Sequence, residues 1–202
     1  MRKIVEEGYE KGDYASTFRI SDKPNEMEES FLKKLIKLLP KNPHILDFGC
    51  GIGVPFDKYF VNYDCKVTGI DISQKHINEA KKNVPNAKFI KGDFSKTDFQ
   101  ETFDAIISFY AIFHIPREEH KELFLNMAAL LKKEGKILIT LGTSGSYGEE
   151  ENWCGVKMVW STYKPEMYKK LLDETGFKIL EATFEGKPGD KEYHFWVLAQ
   201  KK

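Results

Sequence analysis

Cysteine is scarce in this chain: Cys50, Cys65 and Cys154 are its whole complement in 202 residues. With no C-x-x-C spacing and no even set, neither a disulfide framework nor a zinc site is indicated, and a reducing compartment is expected. Long apolar runs are missing as well. Nowhere do 18 apolar residues follow one another, and Met1 to Glu10 carries charges where a signal peptide would be apolar. The expectation is a cytoplasmic protein that does not engage a membrane. Neither sign of charge prevails, since 31 Lys and Arg face 31 Asp and Glu for a net charge of +0, so no electrostatic excess draws the chain to a nucleic-acid polyanion. Internal repeats and low-complexity tracts are also absent.

What remains is ordinary globular material, 41% hydrophobic and 31% charged, long enough for one domain over residues 1–202 with modest elaborations. Met27, Phe31, Leu35, Leu38 and Leu39 fall at helical spacing within 26–39, and Pro40 and Pro43 end that pattern. His44 to Phe48 reads as a first strand, 55–60 as a helix with proline in its first turn, and 66–72 as a second strand. Ser73 is placed to cap a helix over 74–83. Residues 88–90 give a short third strand, and 103–110 a fourth apolar enough to be covered on both faces. A helix over 116–131 and a fifth strand over 136–141 follow. The C-terminal part reads as a helix over 165–175 and strands over 177–185 and 191–200, joined as a hairpin through Gly186, Pro188 and Gly189. The alternation of strands and helices predicts a doubly wound parallel sheet, with ligands bound at the carboxyl ends of its strands.

The most informative stretch is Ile45-Leu-Asp-Phe-Gly-Cys-Gly-Ile-Gly53, with Asp71 18 residues beyond at the end of the next apolar run. Glycines at 49, 51 and 53 allow a sharp turn and a close approach to a ligand, and a carboxylate at the tip of the adjacent strand can accept both hydrogen bonds of a ribose diol. This points to a nucleotide-like cofactor. A dinucleotide fingerprint would require glycine or alanine at position 54, where the chain has Val54 followed by Pro55.

Together with Gly69-Ile-Asp-Ile-Ser73, Gly92-Asp-Phe94, Phe103-Asp-Ala-Ile-Ile-Ser-Phe-Tyr110 and Leu130-Leu-Lys-Lys-Glu-Gly-Lys-Ile-Leu-Ile-Thr140, the glycine run resembles the class I S-adenosylmethionine-dependent methyltransferases, in their small-molecule form. That resemblance implies a Rossmann-like seven-stranded sheet of order 3-2-1-4-5-7-6 with strand 7 antiparallel. It also implies S-adenosylmethionine as the cofactor. Gly49, Cys50, Gly51 and Gly53 would line its methionine and ribose portion, and Asp47 would support the loop or reach the amino-acid end through water. Asp71 would hold the ribose, Asp93 the adenine amine, Ile72 and Phe94 the faces of the ring, and the carbonyls of Ser108 and Phe109 the ammonium group.

His114, just beyond strand four, is the candidate base or acceptor contact, because histidine titrates near neutrality. Residues 9–18 resemble an N-terminal lid in which Tyr14 would approach the cofactor, so 1–43 reads as lid and helix. The segment 143–163 holds Tyr147, Trp153, Met158, Trp160 and Tyr163. It is long for a connection without a job, and reads as a substrate-facing cap or an oligomer contact. The expected partner is a small methyl acceptor, for a monomer or homodimer without a metal. A nicotinamide-dependent oxidoreductase and a non-catalytic cofactor-binding protein of the same fold are the alternatives.

Overall fold

The structure is a computed structural model that describes residues 1–19, 21–190 and 193–202. At its centre is a seven-stranded sheet built from β1 (His44–Phe48), β2 (Lys66–Asp71), β3 (Lys88–Lys91), β4 (Phe103–Ser108), β5 (Leu131–Gly142), β8 (Phe177–Glu185) and β9 (His194–Lys201), in the order β3-β2-β1-β4-β5-β9-β8. β1 to β5 pair in parallel, whereas β9 runs antiparallel to both of its neighbours. This is the expected strand order, with the last hairpin filling the sixth and seventh places. β9 begins at His194, and residues 191 and 192 of the predicted strand lie outside the described residues.

The two faces of the sheet bury separate cores. α6 (His120–Leu130) and α7 (Pro165–Glu174) cover one face, with Phe124, Met127, Tyr168 and Leu172 against Leu46, Ile106, Ile137 and Val197. α3 (Glu26–Leu38) and α4 (Phe56–Val61) cover the other, with Phe31, Leu32, Leu35 and Phe60 against Ile45, Val67, Ile107 and Trp196. At about 25 cal/mol per Å² of apolar surface removed from water, such double coverage is what makes the central strands near-continuous in Ile, Leu, Val and Phe.

Helix starts follow from local chemistry. Asn25 caps α3, accepting from Glu28 N at 2.9 Å, while Glu28 Oε2 accepts from Asn25 N at 2.8 Å, which is a reciprocal capping box. Ser73 Oγ accepts from His76 N at 3.1 Å at the head of α5 (Gln74–Asn83), as its position predicted.

Several boundaries differ from the sequence reading, three of them near the ligand edge or the helix beyond it. β4 stops at Ser108, because Tyr110 takes a positive φ of 57° and turns the chain toward the ligand edge. The helix expected over 116–131 divides into a tight turn, Arg117–Glu119, and α6 starting at His120. Leu131, placed in that helix by its apolar character, belongs instead to β5, where it pairs with Phe103.

The segment 143–163 is largely a second sheet, an antiparallel hairpin of β6 (Tyr147–Trp153) and β7 (Val156–Ser161). Cys154 and Gly155 form its two-residue turn with φ of 50° and 84°, the paired positive angles that match the twist of flanking strands. The N-terminal residues form α1 (Arg2–Lys11) and the short α2 (Tyr14–Phe18). α1 lies on β7, with Val5 buried against Met158 and Val159. Gly8 permits this approach: a Cβ there would stand 2.7 Å from Met158 Cε.

Candidate functional site

The carboxyl ends of β1, β2 and β4 meet at one edge, and a cavity of about 60 Å³ lies there beneath α1. Its floor is the glycine loop. Gly49 and Gly51 line it with φ of 82° and 54°, and at Gly51 the space a Cβ would fill has no protein atom within 4 Å. Gly51 N donates to Asp71 Oδ2 at 2.9 Å, and Asp71 Oδ1 accepts from Ser73 N at 2.9 Å. The carboxylate therefore ties the loop to the tip of β2 while facing the cavity. His76 Nδ1 stands 3.5 Å from Asp71 Oδ1.

Ile72 and Phe94 also line the cavity, and Phe94 stacks on Phe48 at 5.0 Å, so it serves the core and the cavity wall together. Asp93 lines it too, but its carboxylate is engaged: Arg2 Nε donates to Oδ2 at 2.5 Å, and Ser95 N and Oγ donate to Oδ1 at 3.0 and 2.6 Å. Burial opposes ionisation of Asp93, yet the bonds from Ser95 and Arg2 hold its carboxyl below the usual carboxylate range. Arg2 is fixed from its other side by Glu119, whose Oε1 accepts from Nη1 at 2.9 Å.

On the opposite wall, His114 Nδ1 lies 2.8 Å from the carbonyl oxygen of Val159, and His114 Nε2 lies 2.8 Å from Tyr9 Oη. A carbonyl only accepts, so the ring proton is on Nδ1 and Nε2 presents its lone pair to the Tyr9 hydroxyl. Burial pushes the His114 pKa down to about 4 in spite of the Val159 bond, which leaves the ring neutral at pH 7. A neutral imidazole with fixed tautomer and an aimed lone pair is the arrangement of a general base.

Tyr14, the lid residue singled out in the sequence, lines the same cavity but meets Tyr9 edge-on at 5.4 Å and stacks with Trp153. It is Tyr9, one helix earlier, that reaches His114. Arg19 was also missed: its guanidinium lies within 5.2–5.5 Å of the rings of Tyr14, Phe56 and Tyr110. A desolvated guanidinium in an aromatic cage suits a ligand carboxylate.

Four residues assigned to the cofactor by resemblance do not line the cavity. Gly53 is a packing glycine whose Cβ would crowd Val84 and Phe89. Cys50 belongs to the small core of Ile77, Ala80, Val84 and Phe89, and burial raises its thiol pKa, so it is not a reactive thiol. Ser108 Oγ donates to the Phe48 carbonyl at 2.7 Å, bracing β4 against the end of β1, while the next residue, Phe109, does line the cavity. Asp47 is buried under the loop beside Asp57.

The residues present fit an adenosyl amino-acid cofactor on two observations, the unfilled cradle at Gly51 and the acids Asp71 and Asp93 spaced along one wall. The cavity itself is far below the roughly 300–1,000 Å³ of small-molecule sites. Arg2, Val5 and Tyr9 of α1 form part of its wall.

Comparison with known proteins agrees with this geometry. A family model described as a methyltransferase domain matches residues 45–135. An S-adenosyl-L-methionine-dependent Diels-Alderase of Neonectria sp. is 29% identical over 199 residues, covering 91% of this chain and 76% of that protein. A sterol 24-C-methyltransferase of Debaryomyces hansenii is 28% identical over 168 residues, and the match spans 75% of this chain but 43% of that longer enzyme. Among solved structures, magnesium protoporphyrin IX methyltransferase from Synechocystis PCC 6803 with bound cofactor superposes with a TM-score of 0.73 at 16% identity, covering 100% of this chain and 97% of that one.

Proposed function

We propose, for a chain that belongs to the class I S-adenosylmethionine-dependent methyltransferases, transfer of the cofactor's methyl group to a neutral hydroxyl or amine on a small, largely apolar acceptor. The observation that carries this reading is the 2.8 Å contact of Tyr9 Oη with His114 Nε2 on the cavity that Gly49, Gly51 and Asp71 also line.

When bound, S-adenosylmethionine supplies an electrophilic methyl on a cationic sulfur. The chain supplies position, dryness and a proton acceptor. Asp71 and the Gly51 cradle would hold the ribose side and Phe94 and Ile72 the faces of the adenine, and Arg19, by the rings of the lining residues Tyr14 and Tyr110, would be the cation available to the cofactor's carboxylate. Val5, Tyr9, Tyr14 and Ile115 make an apolar wall around the acceptor, and the aromatic faces tolerate the sulfonium charge. Tyr9 Oη would take the acceptor's proton as the methyl group is transferred, passing its own proton to His114 Nε2. The Val159 carbonyl steadies the imidazolium so formed. α1 and the β6–β7 hairpin act as the cover, since each contributes one partner to His114.

The test is a panel of small phenols, alcohols and amines incubated with S-adenosylmethionine, reading formation of S-adenosylhomocysteine. With an accepted substrate, His114→Asn is expected to lower kcat by about 10²–10⁴, the usual worth of a general base, and Tyr9→Phe by less. Binding of the cofactor with no turnover of any acceptor defeats the proposal, as does full activity in His114→Asn.

A further inference from the structure

Beneath the glycine loop the structure holds a second pair of acids that the chemistry above does not use. Asp47 is 2% exposed and Asp57 is fully buried. Asp47 lies two residues before Gly49 and Asp57 four residues after Gly53, so the contact between their carboxyl groups closes the loop at its root. Among the described residues no group donates to Asp47 Oδ1 or to either oxygen of Asp57. Two desolvated carboxylates in contact without donors are sustained only by a proton held between them.

We propose that Asp57 is a positioning residue for the cofactor loop, keeping its own proton against Asp47, and that Asp47 gives up a second proton when cationic S-adenosylmethionine docks on the loop above. The inference rests on the reading that this loop binds that cofactor. The electrostatics run one way. The charged groups acting on the pair are Asp71, from the tip of β2, which disfavours a second negative charge, and Arg19, from the N-terminal segment, which favours ionisation of Asp47. Burial of Asp47 pushes its pKa up to about 7, so the free protein holds the proton near neutrality. A ligand that brings a sulfonium and an ammonium to Gly49 and Gly51 stabilises ionised Asp47 and expels its proton, while the Asp57 proton remains between the two carboxyl groups. The bound state then carries fewer protons than the free state, and affinity rises with pH, approaching tenfold per pH unit where a whole proton is released.

The experiment is calorimetry of the full chain with S-adenosylmethionine between pH 6 and 7.5, in phosphate and in Tris. The difference in observed heat between buffers counts the protons released. The wild type is expected to release a measurable fraction of a proton near pH 7 and to bind several-fold more tightly at pH 7.5 than at 6.5. Release should be smaller with S-adenosylhomocysteine, which lacks the sulfonium charge. In Asp57→Asn an amide donates to an Asp47 that is already ionised, so release should vanish. His76 beside Asp71 and the ligand's own amino group, ordinarily titrating at about 7.7–8.0, are common to both proteins and cancel in the comparison. Equal release in wild type and Asp57→Asn overturns the proposal, and so does pH-independent affinity of the wild type, which needs no variant to fold. Absence of any binding instead defeats the cofactor reading on which this one stands.

Discussion

Gly51 shows how one missing side chain defines a site. Its φ of 54° and the open space around its Cβ position mean that alanine there meets no protein atom. The cost to the fold is the left-handed backbone alone, about 1 kcal/mol. Gly51→Ala is therefore expected to fold, as read by thermal unfolding, and to bind S-adenosylmethionine roughly tenfold or more weakly, since the methyl overpacks the ligand's place. Gly49→Ala is the contrast, because its Cβ would run into that of Ala111 and damage the fold itself. The turn at Gly49 and Gly51 and the place of Asp71 at the tip of β2 were legible in sequence because strand-turn chemistry is local. Tyr9 was not legible as the partner of His114, since that contact depends on how α1 settles on β7, between residues about 150 positions apart in the chain. The side chains of Cys50 and Ser108 turn into the core, so what either offers the cavity edge is its backbone.

At the level of elements, α1 is the part least explained by local pattern and most tied to the site. It reaches the chain's far side through Arg2 to Asp93 and Glu119, through Tyr9 to His114, and through Val5 to the hairpin. Arg2 occupies Oδ2 of the acid assigned to the adenine amine, the oxygen that Ser95 leaves open, so a cofactor reaching Asp93 would compete with α1 for it. Arg2→Ala is expected to speed association of S-adenosylmethionine, read by stopped-flow fluorescence of Trp153, which stacks on Tyr14 and Phe18 in this cover. Association slowed in that variant would mean that Arg2 guides the cofactor rather than competing with it. The five parallel strands were readable from apolar runs broken by glycine and proline. The β6–β7 hairpin was not, because its strands carry Glu149, Glu150, Glu151 and Lys157 in place of an apolar alternation, and its turn residues are Cys154 and Gly155 rather than Asn-Gly.

For the whole molecule, the buried titratable groups set opposing pH dependences. His114 and His120 are each pushed down to about 4 by burial, whereas the unfolded chain protonates them near 6.5. Their stabilisation is fully present above pH 6.5 and is lost as pH falls toward 4, on the order of 3 kcal/mol each. Asp47 is pushed up to about 7 and Asp57 is raised well above its ordinary range, so both favour the fold more as pH falls from 7 toward 4. The two effects oppose each other between about pH 4.5 and 6.5, and above that range the carboxyl pair sets the direction. Denaturant unfolding of the ligand-free protein is thus expected to show a decline in stability from about pH 6.5 toward pH 8, abolished in Asp57→Asn. A rise in stability from pH 6.5 to 8 would contradict this arrangement of charges.

The central claim is that the glycine turn and Asp71 together hold S-adenosylmethionine, and titration calorimetry of the cofactor into wild type and Asp71→Ala tests it most directly. Saturable one-to-one binding in the wild type is expected, weakened in the variant by about 1–3 kcal/mol through loss of charge-assisted hydrogen bonds. Equal affinity in the two proteins, or no binding in the wild type, would contradict it.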